Sequence, residues 1–176
     1  MSRFILLMEK EINFGRKFFE GMIQRIQSLY LLLIVVFSTL LLSGNILTFT
    51  DSGNNVLNLK YSGLAGTGSY TVDFAGQFLI LFIALNILLA LLSLISVFMY
   101  RNRKRQGKMV LAAIIITVLI ILTEFLMAYN LMSNADLRLI PGAGLILPPL
   151  MAVLAVLARR GIKKDEKLVS SYERLR

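Results

Sequence analysis

The chain has 176 residues, 57% of them hydrophobic and 16% charged, with 19 Lys and Arg against 10 Asp and Glu. Charged residues make up about a quarter of an ordinary soluble domain, so this deficit, together with a mean hydropathy of +0.74, predicts a membrane protein. The sequence has no Cys, His or Trp, which excludes disulfides, thiolate nucleophiles, zinc–thiolate and iron–sulfur sites and removes the commonest general base.

Ahead of the first apolar run, residues 1–21 carry Phe4, Ile5, Met8, Ile12, Phe18 and Phe19 against Lys10, Arg16 and Lys17. This is the pattern of a cytoplasmic extension that lies on a membrane surface as an amphipathic helix; Gly15 interrupts its periodicity.

A helix crossing the hydrocarbon core needs about 20 mostly apolar residues, and four stretches qualify. Residues 26–50, 74–100 and 139–158 carry no charge, and 109–134 carries only Glu124. Without water every backbone polar group must be bonded internally. The expectation is therefore an all-α membrane protein, a bundle of four transmembrane helices over about 26–48, 75–100, 109–131 and 140–159. A cleaved signal peptide is the competing reading of the first run. It fits poorly, because that run outlasts a signal's apolar core of about 7 to 15 residues and has no Ala-x-Ala site.

Between the first two helices, residues 46–74 have strand periodicity. Residues 46–50 favour β structure and end at the turn-forming sequence 51–55; Leu57, Leu59 and Tyr61 then alternate with Asn58 and Lys60, and Tyr70, Val72 and Phe74 with Thr71 and Asp73. A small antiparallel β meander of two or three strands is predicted in this first external loop. The Gly-rich run 63–68 is a hairpin loop and not a phosphate loop, since no Lys-Ser/Thr pair follows it.

The basic residues set the orientation. Seventeen of the nineteen fall before the first helix, in the loop 101–108 or in the tail 159–176, and only Lys60 and Arg138 fall elsewhere. Both termini and the middle loop are thus expected in the cytoplasm. Arg101, Arg103, Lys104, Arg105 and Lys108, with Arg159, Arg160, Lys163 and Lys164, are the candidate contacts to anionic lipid or to a protein partner. No recognised module or stacking aromatics accompany them, so nucleic acid is not an expected partner.

Polar residues inside the spans are the candidate site. Glu124 lies roughly 22 Å along the third helix at 1.5 Å per residue, in its outer half. It reads as an interface carboxylate capped by Tyr129 and Asn130, or alternatively as a proton or cation ligand or a partner for Arg138. Asn86, in the middle of the second helix, reads as a hydrogen bond to a neighbouring helix, and Ser93, Ser96, Thr117 and Thr123 as hydroxyls bonded back to their own helices. Pro141, Pro148 and Pro149 are candidate breaks in the fourth helix. They give a kinked packing helix or, as in some transporters, the lining of a site.

A four-span chain with a β-containing first loop invites comparison with claudin-like junction proteins, but those carry Trp and a Cys pair there and this chain has neither. A closer resemblance lies at the two basic boundaries. The segment Met22-Ile23-Gln24-Arg25-Ile26-Gln27-Ser28-Leu29-Tyr30-Leu31-Leu32-Leu33 resembles the opening of a bacterial inner-membrane family, the domain of unknown function 4293. The segment Arg159-Arg160-Gly161-Ile162-Lys163-Lys164-Asp165-Glu166-Lys167 and the final Arg174-Leu175-Arg176 resemble its closing signature. The resemblance covers about 22–176 and implies a single four-helix membrane domain in the bacterial inner membrane, with no reaction assigned. It leaves residues 1–21 as either the interfacial extension or the product of a start codon chosen ahead of Met22.

The expected function is a non-catalytic subunit, scaffold or assembly factor of a membrane complex, with a protein partner in the membrane or a homo-oligomer. The alternative is a small transporter or ion-coupled channel component built on Glu124, Asn86 and the proline-broken fourth helix. An enzyme is not expected, because the acids show no spacing for a metal pair, and neither a metal nor a cofactor is expected.

Overall fold

The computed structural model describes residues 26–53, 55–65, 73–99, 102–135 and 137–173. It is mostly helical. Four long apolar helices, α1 (Ile26–Ser43), α2 (Asp73–Phe98), α3 (Arg103–Ala135) and α4 (Ala143–Glu173), each contain a stretch long and apolar enough to cross a membrane. A small antiparallel sheet is made of β1 (Leu47–Thr50), β2 (Val56–Lys60), β3 (Gly63–Ala65) and β4 (Arg138–Ile140). The expected interfacial helix at 1–21, Arg101, and the expected strand residues Tyr70 and Val72 lie outside the described residues.

Several boundaries differ from the sequence expectation, each for a local reason. The first helix ends at Ser43, not near 48; Gly44 closes it by donating to Leu40 O at 2.9 Å, and by Ile46 the backbone N–H already bonds Leu59 O across the sheet. Phe74 belongs to α2 and not to a strand. The third helix starts at Arg103, not 109. Asn102 caps it, its Oδ1 accepting from the Arg105 N–H at 3.3 Å and its carbonyl from the Gln106 N–H at 3.0 Å. Arg, Lys and Gln are good helix formers, so a helix does not stop where the apolar run does. By the same logic α4 continues through most of the presumed tail, to Glu173.

The sheet has four strands in the order β3-β2-β1-β4. Its third strand is Gly63–Ala65, reached through the tight turn Tyr61-Ser62, after which Gly63 takes φ 108°, a conformation suited to glycine. The fourth strand comes from the α3–α4 connection, where a helix was expected from about 140; Pro141 ends it, and therefore lies ahead of α4 and not within it. The pairs Leu47↔Leu59 and Phe49↔Leu57 place four buried side chains on one face of β1 and β2. The opposite face carries the pair Thr48↔Asn58, with Thr48 Oγ1 donating to Asn58 Oδ1 at 3.0 Å.

Every helix carries a series of buried residues at an alternating spacing of three and four, joined on α3 by Ile116, Thr123 and Ala128 and on α4 by Leu154. The members of the series are Gln27, Leu31, Ile34, Ser38 and Leu41 on α1, and Leu79, Phe82, Asn86, Leu89, Ser93 and Ser96 on α2. On α3 they run Gln106, Val110, Ala113, Thr117, Ile120, Glu124, Met127 and Leu131, and on α4 Gly144, Pro148, Met151, Ala155, Ala158, Ile162 and Asp165. A mean period of 3.5 is that of helices packed side by side with knobs in holes. The outward faces are equally apolar: Ile80 is 70% exposed, Phe98 73% and Phe125 65%. A helix that is apolar all round is either a buried core helix or a membrane span.

Two glycines let α4 approach α1. A Cβ on Gly144 would overlap the carbonyl oxygens of Asn45 and Ile46, and one on Gly161 would lie 2.8 Å from Gln27 Cγ. The first clash is with backbone, which has nowhere to move, whereas the second is with a side chain. Gly144→Ala is expected to lower the unfolding temperature in detergent, by an overpacking penalty of about 1–3 kcal/mol, and Gly161→Ala to lower it less. Equal unfolding temperatures for wild type and Gly144→Ala would contradict this packing.

Candidate functional site

Among the described residues, half of the ten buried polar side chains hold one helix to another. At the end away from the sheet, Gln27 Nε2 on α1 donates to Asp165 Oδ2 on α4 at 2.8 Å, and both residues are buried. Arg103 Nη1 on α3 donates to the backbone carbonyl of Asp165 at 3.3 Å, and Gln106 Nε2 on α3 donates to Ser96 O on α2 at 3.0 Å. Half-way along, the single proton of Ser38 Oγ on α1 is shared between Asn86 Oδ1 at 2.9 Å and Asn86 O at 3.0 Å on α2. The interhelical bond expected of Asn86 is therefore present, and its partner is α1.

The hydroxyls divide. Thr117 Oγ1 donates to Ala113 O at 2.7 Å and Thr123 Oγ1 to Ile120 O at 2.8 Å, as threonine does when bonding back to its own helix. Ser93 Oγ and Ser96 Oγ do not; among the described residues both are buried without a hydrogen-bond partner, as is Asn86 Nδ2.

Glu124 is the exception of greatest consequence. It was expected either at an interface, reaching water and capped by Tyr129 and Asn130, or as a proton or cation ligand or a partner for Arg138. It occupies the inward seam of α3 with 3% of its surface exposed, and its Oε1 has no hydrogen-bond partner among the described residues. Tyr129, five residues on, faces outward at 65% exposure, and Arg138 is exposed on β4 opposite Thr50. A carboxyl oxygen shielded from water and without a donor carries a desolvation cost of about 1–3 kcal/mol.

The depth of Glu124 follows from two contacts on α3 and α4. Arg103 meets Asp165, and a Cβ at Gly107 would lie 3.6 Å from Ile162; one number rises as the other falls, so the helices are antiparallel. Twenty-one residues along each from Arg103 and Asp165 stand Glu124 and Gly144, which are therefore at about the same level. Gly144 and Leu145 also line a partly open cavity of about 310 Å³ at the sheet end, together with residues 45–48, Ile140 and residues 142–143. Pro148 and Pro149 lie inside α4, one turn further on.

The basic candidates gather at the opposite end. Lys104, Arg105 and Lys108 are exposed on the first turns of α3, and Arg160, Lys163 and Lys164 are exposed on α4, with Arg103 and Arg159 half-buried between the two groups. Among the described residues, no group of three or more acidic side chains is placed to hold a metal ion. Sequence reasoning missed Gln27, Ser38, Gln106 and Asp165, although their three-and-four spacing with the neighbouring apolar residues was a signal for them.

The chain matches the family described as domain of unknown function (DUF4293) over residues 23–175, and it belongs to that family. No curated protein matches it. No solved structure matches it either.

The Ser38–Asn86 bond is expected to contribute about 1 kcal/mol or less. In a double-mutant cycle of Ser38→Ala and Asn86→Ala, followed by reversible unfolding in detergent, the two single losses are expected to exceed the double loss by about that amount. Strict additivity would show that the two side chains do not interact.

Proposed function

We propose that this chain is a multi-pass protein of the bacterial inner membrane, a non-catalytic subunit, scaffold or assembly factor whose four helices form a bundle across the bilayer. The observation that carries the reading is the use of its interior polar groups: Gln27, Asp165, Ser38, Asn86 and Gln106 are engaged in interhelical hydrogen bonds, while large apolar side chains cover the outside. That is an interior built for packing, with a surface for lipid and for other helices.

Orientation in this reading comes from charge. The helices α3 and α4, at 33 and 31 residues, would be about 50 and 46 Å long at 1.5 Å per residue, more than a hydrocarbon core of about 30 Å. The excess lies at their basic ends, which project into the cytoplasm beside anionic lipid headgroups and place both termini on that side. The sheet then stands on the far side, where β1, β2 and β4 present a surface to a partner.

A second reading, an ion-coupled transport or channel component, is favoured by one observation, the buried and partnerless Oε1 of Glu124. Ionisable groups inside membrane spans commonly mark ion pathways.

The native chain contains no Cys, so single cysteines report topology cleanly. Ser62→Cys, exposed beside β3, is expected to react with a membrane-impermeant maleimide in intact cells, and Lys104→Cys only after the inner membrane is opened; the reverse pattern would invert the topology. Purification in mild detergent is expected to bring down a stoichiometric second protein, detected by size-exclusion chromatography and mass spectrometry. Elution as a lone monomer would contradict the subunit reading.

A further inference from the structure

The helix α4 contains adjacent prolines one turn from its start, and each removes a backbone donor. Pro148 cannot donate the helical bond to the carbonyl of Gly144, nor Pro149 to that of Leu145. Two carbonyl oxygens thus lack their ordinary helical partner, at the level where α3 presents Glu124. Directions agree as well as levels. Carbonyls of α4 point along that helix toward Pro148, and side chains lean toward the N-terminus of their own helix, which on the antiparallel α3 carries the Glu124 carboxyl toward Pro148 too. Gly144 and Leu145 also line the cavity of about 310 Å³ at the sheet end, so the two residues whose carbonyls are released border a space large enough for water and small ions.

We propose that Glu124 and the backbone carbonyls of Gly144 and Leu145 form the protein part of a binding site for one monovalent metal cation, whose remaining coordination is filled by water from the sheet-end cavity that Gly144 and Leu145 border. The donor set is all oxygen, which suits hard cations. Its charge selects the valence. One carboxylate and two neutral carbonyls balance a single positive charge, whereas a divalent ion would leave a net charge away from bulk water. The released carbonyls of an interrupted helix serve cations in the same way elsewhere in membrane proteins. Gly144 fits this role for a second reason: its place against the carbonyls of Asn45 and Ile46 holds α4 close to α1 and fixes the level at which its own carbonyl stands. The proposal rests on the ion-coupled reading of Glu124 and names its ligand class.

The test uses the full chain in detergent or nanodiscs, with sodium chloride and potassium chloride each compared against choline chloride at matched ionic strength. One of the two metal cations is expected to raise the unfolding temperature of the wild type by on the order of 3–6 °C at about ten times its dissociation constant. The shift is expected to vanish in Glu124→Gln. It is also expected to vanish in the double variant Pro148→Ala, Pro149→Ala, which restores the two helical hydrogen bonds and so provides a folded control that leaves the carboxylate intact. A second readout is labelling of Glu124 by a hydrophobic carbodiimide, located by peptide mass spectrometry, which the bound cation is expected to slow at least tenfold. A wild type whose stability is the same in all three salts overturns the site, as does an equal shift in Glu124→Gln. If labelling proceeds at the same rate in all three salts, the metal site falls while the carboxyl still exchanges protons and the ion-coupled reading stands; if Glu124 neither labels nor responds to salt, both fall.

Discussion

A polar atom enclosed by apolar helices has no water to return to, so the arrangement of this chain depends on which polar groups meet across its helix seams. In the proposed membrane setting, apolar contacts between such helices are weakly specific, because a leucine gains little from a neighbouring helix that lipid would not also supply. The bonds Gln27–Asp165, Ser38–Asn86 and Gln106–Ser96 are specific. Each fixes the level of one helix against another, and together they join α1 to α4, α1 to α2 and α2 to α3. The close passage of Gly144 across Asn45 and Ile46 fixes the fourth level at the sheet end.

Seen from that constraint, Glu124 is the one buried acid near the sheet end among the described residues, and it lacks the partner that Asp165 has. Asp165, also buried, accepts from Gln27; Glu124 Oε1 accepts from nothing among the described residues. The prolines of α4 create the complementary shortage, carbonyls without the donors a regular helix would provide. An ionised carboxyl cannot satisfy carbonyl oxygens, and a cation satisfies all of them at once. That link turns a helix break, a cavity and an unpaired carboxylate into parts of one site.

Much of the architecture was legible in the sequence because the signals were long. Four uncharged or nearly uncharged runs locate four helices, and strict alternation at Leu57 and Leu59 locates β2. Short or composite signals failed. The strand Arg138–Ile140 is three residues joined to an apolar run that reads as helix, and only its pairing with β1 makes it a strand. The first turns of α3 and the last turns of α4 are charged, so a search for apolar residues cut both helices short, although Arg, Lys and Glu extend helices readily. For Glu124 the sequence position gave its depth along the axis and not its side of the helix; the series Thr117, Ile120, Glu124, Met127 carries that second coordinate and points it inward.

The helix arrangement itself is tested most directly by oxidative cross-linking in native membranes, which the absence of native cysteine makes unambiguous. With Ser38→Cys and Asn86→Cys in the same chain, rapid intramolecular disulfide formation is predicted. Replacing the second site by the outward-facing Leu88→Cys, 46% exposed, is predicted to leave the chain uncross-linked. Failure of the first pair to close, or closure of the second pair in its place, would contradict the α1–α2 packing on which the proposed bundle depends.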